Sequence, residues 1–345
     1  MLTPAGVVRD ADLSAANTLR LPARAGCFVS VADPAQLPVL RAWSAQQGLR
    51  RFVLGGGSNL VLTGDFDGLV LHVAIPGKAL AGEDGEAWYV RAGAGECWNE
   101  FVLWTLAQGW PGLENLVGIP GSAGAAPIQN IGAYGLEVAE RFAWLEAFDM
   151  GRGETLRFDR DACRFDYRHS VFKENDAHRE GRFVVTSVVF RLPRRWQPET
   201  RYADLAAELS LEGSPAPTAA RIAAAVAALR RRKLPDPQHL PNAGSFFQNP
   251  VVDAAFAADL ARRFPALPRF EQSGGKVKLA AAWLIEHAGW KGRRLGPVGM
   301  YEKQALVLVK HGEARGADVL ALAEAVAAAV RQDFGVELRP EPVYL

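Results

Sequence analysis

Cysteine is scarce in this chain. Its three copies, Cys27, Cys97 and Cys163, are odd in number and form no CxxC pair, which argues against a disulfide framework and a cysteine-based zinc site. HExxH is also missing, so no metal is expected. No apolar run approaches the ~20 residues that span a bilayer, and no basic segment leads into an apolar stretch at the N-terminus. A cytoplasmic protein without a membrane partner is expected. An excess of either charge is lacking too, with a net charge of +1 over 345 residues. That balance argues against broad binding to nucleic acid or an anionic membrane surface and favours a monomer. GxGxxG, GK[ST] and GxSxG are absent, which sets aside a Rossmann fingerprint, a Walker A loop and a serine-hydrolase elbow.

What remains is a globular composition, 49% hydrophobic and 22% charged, long enough for two or three domains with their own cores. Its organising stretch is PGLENLVGIPGSAGAAPIQNIGAYG, residues 111–135. Glycine admits positive φ and close backbone approach, and proline fixes turns. Leu113, Leu116, Ile119, Ile128 and Ile131 would be superfluous in a solvated linker. The stretch therefore reads as a packed loop able to wrap a large planar or phosphorylated molecule and present N–H groups to it.

Before this loop the pattern is strand, helix, strand. Residues 1–26 read as irregular, 28–31 as a strand, 34–48 as a helix opened by Pro34, and 51–54 as a strand. The last runs into Gly55, Gly56, Gly57, Ser58 and Asn59. Such a turn can be a nest for a pyrophosphate or a purely structural turn, and both stay open at this point. Strands at 69–73 and 88–92 and a helix at 96–108 ended by Gly109 follow. Beyond the loop, 142–149 and 183–191 read as strands and a helix opens at Thr218. Helices at 253–264, 278–287 and 319–334 and a strand at 305–309 form a second compact unit, before an extended tail from 336 to 345.

Three segments could carry chemistry. In RFDYRHS, residues 164–170, Arg168 could clamp a carboxylate or an oxyanion, or pair with Asp166 at the surface. In NAGSFFQNP, residues 242–250, Ser245 is flanked by a glycine and two phenylalanines. It is either a proton donor in a dry site or part of a polar turn. Glu341 stands between Pro340 and Pro342, either held in place or exposed near the end of the tail.

Together these segments make the chain recognisable. LGGGSN (54–59), GLENLVGIPGSAGAAPIQNIGAYG (112–135), FDYRHSVFK (165–173) and NAGSFFQNP (242–250), extended by KLPDP (233–237) and VKLAAAWLIE (277–286), resemble the UDP-N-acetylenolpyruvoylglucosamine reductases of bacterial peptidoglycan precursor synthesis. The resemblance implies an α+β protein with an FAD-binding fold of the vanillyl-alcohol-oxidase type and an α+β substrate-binding domain. Residues 1–200 would bind FAD through two subdomains, about 1–73 and 74–200. Residues 201–234 would form a tyrosine loop and connecting helix, 235–335 the substrate domain, and 336–345 a tail returning to the active site. FAD would be held by Gly55, Gly56, Gly57, Ser58, Asn59, Ile119, Gly121, Ser122, Gly124, Ala125, Gln129, Ile131, Gly132, Val185 and Arg230. Tyr202, Lys233, Asn249 and Gln304 would grip the UDP-sugar. Arg168, Ser245 and Glu341 would be catalytic.

The implied reaction passes hydride from NADPH to FAD and then to the vinyl carbon of UDP-N-acetylglucosamine enolpyruvate, with a proton from Ser245. Phe270 stands where some family members place a tyrosine near the nucleotide. Two rival readings are another flavin-dependent oxidoreductase of the same fold and a non-catalytic nucleotide-sugar-binding protein. Oxidases of this fold commonly attach flavin through histidine or cysteine, and residues 111–135 contain neither.

Overall fold

The computed structural model describes residues 2–176, 181–210 and 216–345. The chain divides into two compact units. The first holds the residues up to Asp12 together with Arg24–Gly57 and Asp65–Arg232. The second holds Leu13–Ala23, Ser58–Gly64 and Lys233–Leu345. Two short segments expected in the flavin-binding region, 13–23 and 58–64, thus cluster with the C-terminal residues.

Among the described residues the first unit contains one four-stranded and one five-stranded sheet, besides the two-stranded pair Gly132–Ala133 and Leu136–Glu137. One orders its strands Val8–Asp12, Arg24–Val31, Phe66–Val73, Arg50–Leu54. The first pair is antiparallel and the other two pairs are parallel. Arg24–Val31 buries Ala25, Cys27, Val29 and Val31, the alternation of a strand with one face on a core. Phe66–Val73 lies between two parallel neighbours and buries Leu69, Val70 and Leu71 in succession. The helix Leu37–Gln46 crosses between strands and buries Leu37, Leu40 and Trp43. Asp33 and Gln36 form a capping box on the short turn ahead of it.

The other sheet is antiparallel, in the order Glu154–Asp159, Phe142–Asp149, Phe183–Pro193, Ala87–Gly93, Lys78–Glu83. The helix Trp98–Ala107 packs on it through Trp98 and Phe101, whose rings meet Phe190 at 5.5 and 5.3 Å. The Trp98 indole N–H donates to Leu116 O at 2.9 Å. This helix therefore links the sheet core to the glycine-rich loop.

In the second unit a four-stranded sheet orders Asn242–Ser245, Val307–Lys310, Val298–Met300, Arg294–Leu295. A three-stranded sheet orders Val251–Asp253, Lys276–Leu279, Arg269–Gln272. The helix Gly316–Phe334 buries Val319, Leu322, Ala323, Val326, Val330 and Phe334, one stripe of a 3.6-residue period. Gly335 closes it at φ +69°.

Several elements differ from the sequence expectation. The irregular opening contains Val8–Asp12 and the start of Arg24–Val31. The first is an edge strand with mostly exposed residues, so no apolar alternation marks it. The expected helix at 278–287 begins as the strand Lys276–Leu279, and only Ala281–His287 is helical. KVKL alternates as a strand does, and its ladders to both neighbours outweigh the helical pattern that follows. Among the described residues no helix is long and apolar enough to cross a membrane.

Candidate active site

In the first unit the glycine turn abuts the organising loop. A Cβ on Gly56 would lie 2.8 Å from Gly121 Cα, and one on Gly55 would lie 2.9 Å from Ser122 Oγ. The two backbones touch only because neither glycine carries a side chain. Gly57 takes φ +65° and ends the part of the turn that belongs to this unit. From the other side, Ala123 N donates to Glu96 O at 2.8 Å, Gly124 N to Ala94 O at 2.9 Å, and Trp98 N to Gly121 O at 3.0 Å. A Cβ on Gly124 would collide with Ala94. The loop is thus pinned between the glycine turn and the start of the helix Trp98–Ala107.

Further along, Asn130 adopts φ +45°, a conformation that asparagine tolerates better than most residues. It is buried, donates to Glu137 at 2.8 Å and to Asp166 O at 3.1 Å, and accepts from Ala139 N at 3.0 Å. Asp166 and His169 close a tight turn on each other. Arg168, in the middle of that turn, takes φ +54°. Its guanidinium donates to Asn130 O at 3.3 Å and to Gly132 O at 3.0 Å. Ser170 Oγ donates to Ile128 O at 2.5 Å. The structure therefore brings Arg168 onto the stretch containing Gln129, Ile131 and Gly132. Five donors in a rigid fork let a guanidinium hold two carbonyls and still face an anion.

At the other end of the loop, Arg230 Nε donates to Gly118 O at 3.1 Å, beside Ile119. Burial lowers the Arg230 pKa, against a smaller opposing effect of Tyr134. Gly118 takes φ +74°, and a Cβ there would sit 3.1 Å from the Arg230 side chain. Tyr134 takes φ +49° and meets Tyr202 edge-on with ring centroids 5.3 Å apart. Ala125 is half-buried, and Ile131 is buried. Val185 lies inside the antiparallel sheet, paired with Ala147.

In the second unit Ser245 ends the strand Asn242–Ser245, opposite Val307. The pairing shifts register between Asn242 and Ser245, and Gly244 takes φ +64° with open space at its Cβ position. The irregularity leaves Ser245 exposed between buried residues, Ala243 on one side and Phe246 and Phe247 on the other. Buried Asn242 stiffens the strand by donating to Pro235 O and Leu240 O and accepting from Gly244 N. The tail then comes alongside. Glu341 N donates to Phe246 O at 2.8 Å, and Gln248 N to Arg339 O at 3.0 Å. Asn59 donates to Glu341 O at 3.3 Å and accepts from Val343 N at 3.0 Å. Ser58, Asn59, Ser245 and Glu341 are thereby gathered on adjoining backbones. Asn249 accepts from Ala281 N at 2.9 Å, at the start of the helix Ala281–His287. Gln304 sits in the turn before Val307, and Lys233 ends the helix Ala219–Lys233. Phe270 is exposed on its strand.

Sequence reasoning assigned no role to Asn115, Asn130 or Ser170. The signal available for the two asparagines was a polar side chain inside a small-residue loop. Nothing in the sequence marked Ser170, whose hydroxyl anchors one turn to another.

The α+β architecture and the backbone-lined loop define a flavin-binding class. The family model described as an FAD binding domain matches residues 25–159, and the one described as UDP-N-acetylenolpyruvoylglucosamine reductase, C-terminal domain, matches residues 236–345. The UDP-N-acetylenolpyruvoylglucosamine reductase of Dechloromonas aromatica (strain RCB) is 59% identical over 334 residues, covering 97% of this chain and 98% of its own. That of Azoarcus sp. (strain BH72) is 58% identical, covering 99% of each. The crystal structure of the corresponding reductase from Thermus caldophilus aligns with a TM-score of 0.67 at 24% identity, over 98% of this chain and 97% of that one, and shares its fold. The chain belongs to the UDP-N-acetylenolpyruvoylglucosamine reductase family.

Proposed function

We propose that this protein reduces UDP-N-acetylglucosamine enolpyruvate to UDP-N-acetylmuramate in the cytoplasm as a monomer, with FAD as cofactor and NADPH as reductant. The observation that carries this reading is the near full-length identity to reductases of that name, in a chain that presents Arg168, Ser245 and Glu341 on ordered backbones. The cofactor fits the residues present. Gly56 is exposed and packs so closely on Gly121 that backbone, not side chain, faces outward there, the donor type that suits a pyrophosphate. Gly55, Gly56, Gly57, Ser58, Asn59, Ile119, Gly121, Ser122, Gly124, Ala125, Gln129, Ile131, Gly132, Val185 and Arg230 would hold the group. When bound, FAD supplies hydride transfer from NADPH to the vinyl carbon of the substrate.

Each catalytic residue then has a chemical task. Negative charge builds on the carbon next to the vinyl terminus and on its carboxylate. The Arg168 guanidinium, fixed by Asn130 O and Gly132 O, stabilises that charge without having to reorganise. The exposed Ser245 hydroxyl delivers the proton to the same carbon. A weak acid suffices there when it is close and aligned. Glu341, held through its N–H by Phe246 and through its carbonyl by Asn59, assists Arg168 in stabilising the developing charge. Tyr202, Lys233, Asn249 and Gln304 grip the UDP-sugar.

An anaerobic visible spectrum tests the reading. The flavin band is expected to bleach with NADPH and to return on adding UDP-N-acetylglucosamine enolpyruvate. A band that bleaches but ignores that substrate would transfer the protein to another flavin-dependent reaction. Failure to acquire any flavin band after incubation with FAD would exclude the enzyme reading.

A further inference from the structure

We infer that Asn115 is a positioning residue. Its side-chain amide ties the segment carrying Tyr202 to the loop carrying Tyr134 and so sets how tightly substrate is held. The inference rests on the reading of Tyr202 as a substrate contact.

Asn115 is fully buried at the heart of the organising loop. Its Nδ2 donates to Tyr134 O at 2.8 Å and to Glu199 O at 2.9 Å. These carbonyls are 19 and 84 residues away in sequence, so one NH2 group joins two otherwise separate segments. With two carbonyls facing it, the amide must present nitrogen and not oxygen, since the flipped orientation would set oxygen against oxygen. Among the described residues its Oδ1 is buried with no hydrogen-bond partner. A residue kept only to fill space would avoid an unpartnered acceptor. The two donors are therefore what the position requires.

The tie lies immediately beside the aromatic pair. Tyr134 is itself one tied residue, and Tyr202 follows the other by three positions. Their rings meet at 5.3 Å and 75°. Glu199 adds a brace. Its carboxylate accepts from Arg201 Nε at 2.9 Å, and its side chain lies over Gly135, where a Cβ would come within 3.2 Å of it. Arg232 pairs with Glu208, and Arg221 donates to Leu209 O at 2.7 Å, fixing the far end of the helix Ala203–Leu209. The stretch around Tyr202 is thus held at both ends, and Asn115 is the inner tie.

The test uses the full-length, FAD-loaded protein and Asn115→Asp, which keeps the shape and replaces two donors by acceptors. Backbone amides of residues 200–206 are expected to exchange with deuterium about tenfold faster. The KM for UDP-N-acetylglucosamine enolpyruvate is expected to rise about tenfold, with kcat changed by less than about twofold and flavin reduction by NADPH unaltered. Asn115→Asp added to Tyr202→Ala should raise KM no further, because both changes remove the same interaction. A merely structural role would lower flavin content and both half-reactions together. Should Asn115→Asp not purify folded, Asn115→Ala removes the donors without adding charge. Unchanged exchange at 200–206 overturns the tie, and so does a KM effect that persists in full without Tyr202. A Tyr202→Ala variant with unchanged KM refutes the substrate reading of Tyr202 and the inference that depends on it.

Discussion

Gly56→Ala is the sharpest perturbation of the contact between the glycine turn and the organising loop. The new Cβ would sit 2.8 Å from Gly121 Cα and 3.2 Å from Gly121 C. Carbon atoms rest about 3.5–4.0 Å apart, so the turns must separate by at least about 0.7 Å. Both obstructing atoms are backbone, and no side-chain rotation relieves them. Overpacking of this kind costs about 1–3 kcal/mol. If the two turns share the FAD pyrophosphate, a ~2 kcal/mol penalty weakens FAD binding roughly 30-fold. Gly55→Ala should cost less, because its nearest obstacle is the Ser122 hydroxyl at 2.9 Å, the end of a side chain. Gly82→Ala is the control, with nothing among the described residues within 4 Å of its Cβ position and no positive φ. It should stay within about 0.5 kcal/mol of the parent. Thermal melts with and without FAD, and the flavin content retained after gel filtration, read out all three. A Gly56→Ala protein that melts and retains flavin like the parent would refute the reasoning, as would a Gly82→Ala protein equally impaired.

Ser245→Ala should slow reoxidation of the reduced protein by UDP-N-acetylglucosamine enolpyruvate by about 100-fold or more, the contribution of a positioned proton donor, while leaving its reduction by NADPH within about twofold. Stopped-flow absorbance separates the two half-reactions, and an equal loss in both would remove Ser245 from the proton-transfer step. Asp149 links pH to stability. Burial alone would raise its pKa, but the Arg152 N–H, the Arg182 guanidinium and the Gly151 N–H together hold it below the ordinary 3.8. A carboxyl depressed in the folded state contributes stability above its unfolded pKa and loses it as pH falls through the folded value. Asp149→Asn should cost about 1–3 kcal/mol at pH 7, with the gap to the parent closing below about pH 4. A gap that is constant with pH in urea melts would show that the carboxylate charge plays no part.

The legible parts of this protein were those whose pattern is local. The helix Trp98–Ala107 and its closing glycine and the long helix Gly316–Phe334 each bury a face that repeats at the helical period. The sequence also marked the glycine turn and the organising loop as a pair of backbone-rich segments. It could not show that they touch, because the contact is made by absent side chains on Gly55 and Gly56. Val8–Asp12 escaped notice because an exposed edge strand needs no apolar alternation. Arg168 was visible as a candidate, but the carbonyls that anchor its side chain were not. Its fork reaches Asn130 O and Gly132 O, 38 and 36 residues away.

The tail shows most clearly where sequence reasoning stops. Pro340 and Pro342 around Glu341 suggested a fixed carboxylate, yet a proline-flanked glutamate near the end of an extended tail can equally be exposed. The backbone of the tail is held by pairing that no local pattern encodes. Val343–Tyr344 runs parallel to Leu60–Val61, Phe247 bridges Pro340, and Asn59 bonds the backbone on both sides of Pro342. The proline nitrogens donate nothing, so the N–H groups of Glu341 and Val343, on either side of Pro342, carry the anchoring to Phe246 and Asn59. Proline at 340 and 342 therefore stiffens the chain without removing a bond that the tail uses. Phe246, which follows the strand bearing Ser245, and Asn59 thereby fix the backbone of Glu341 between them.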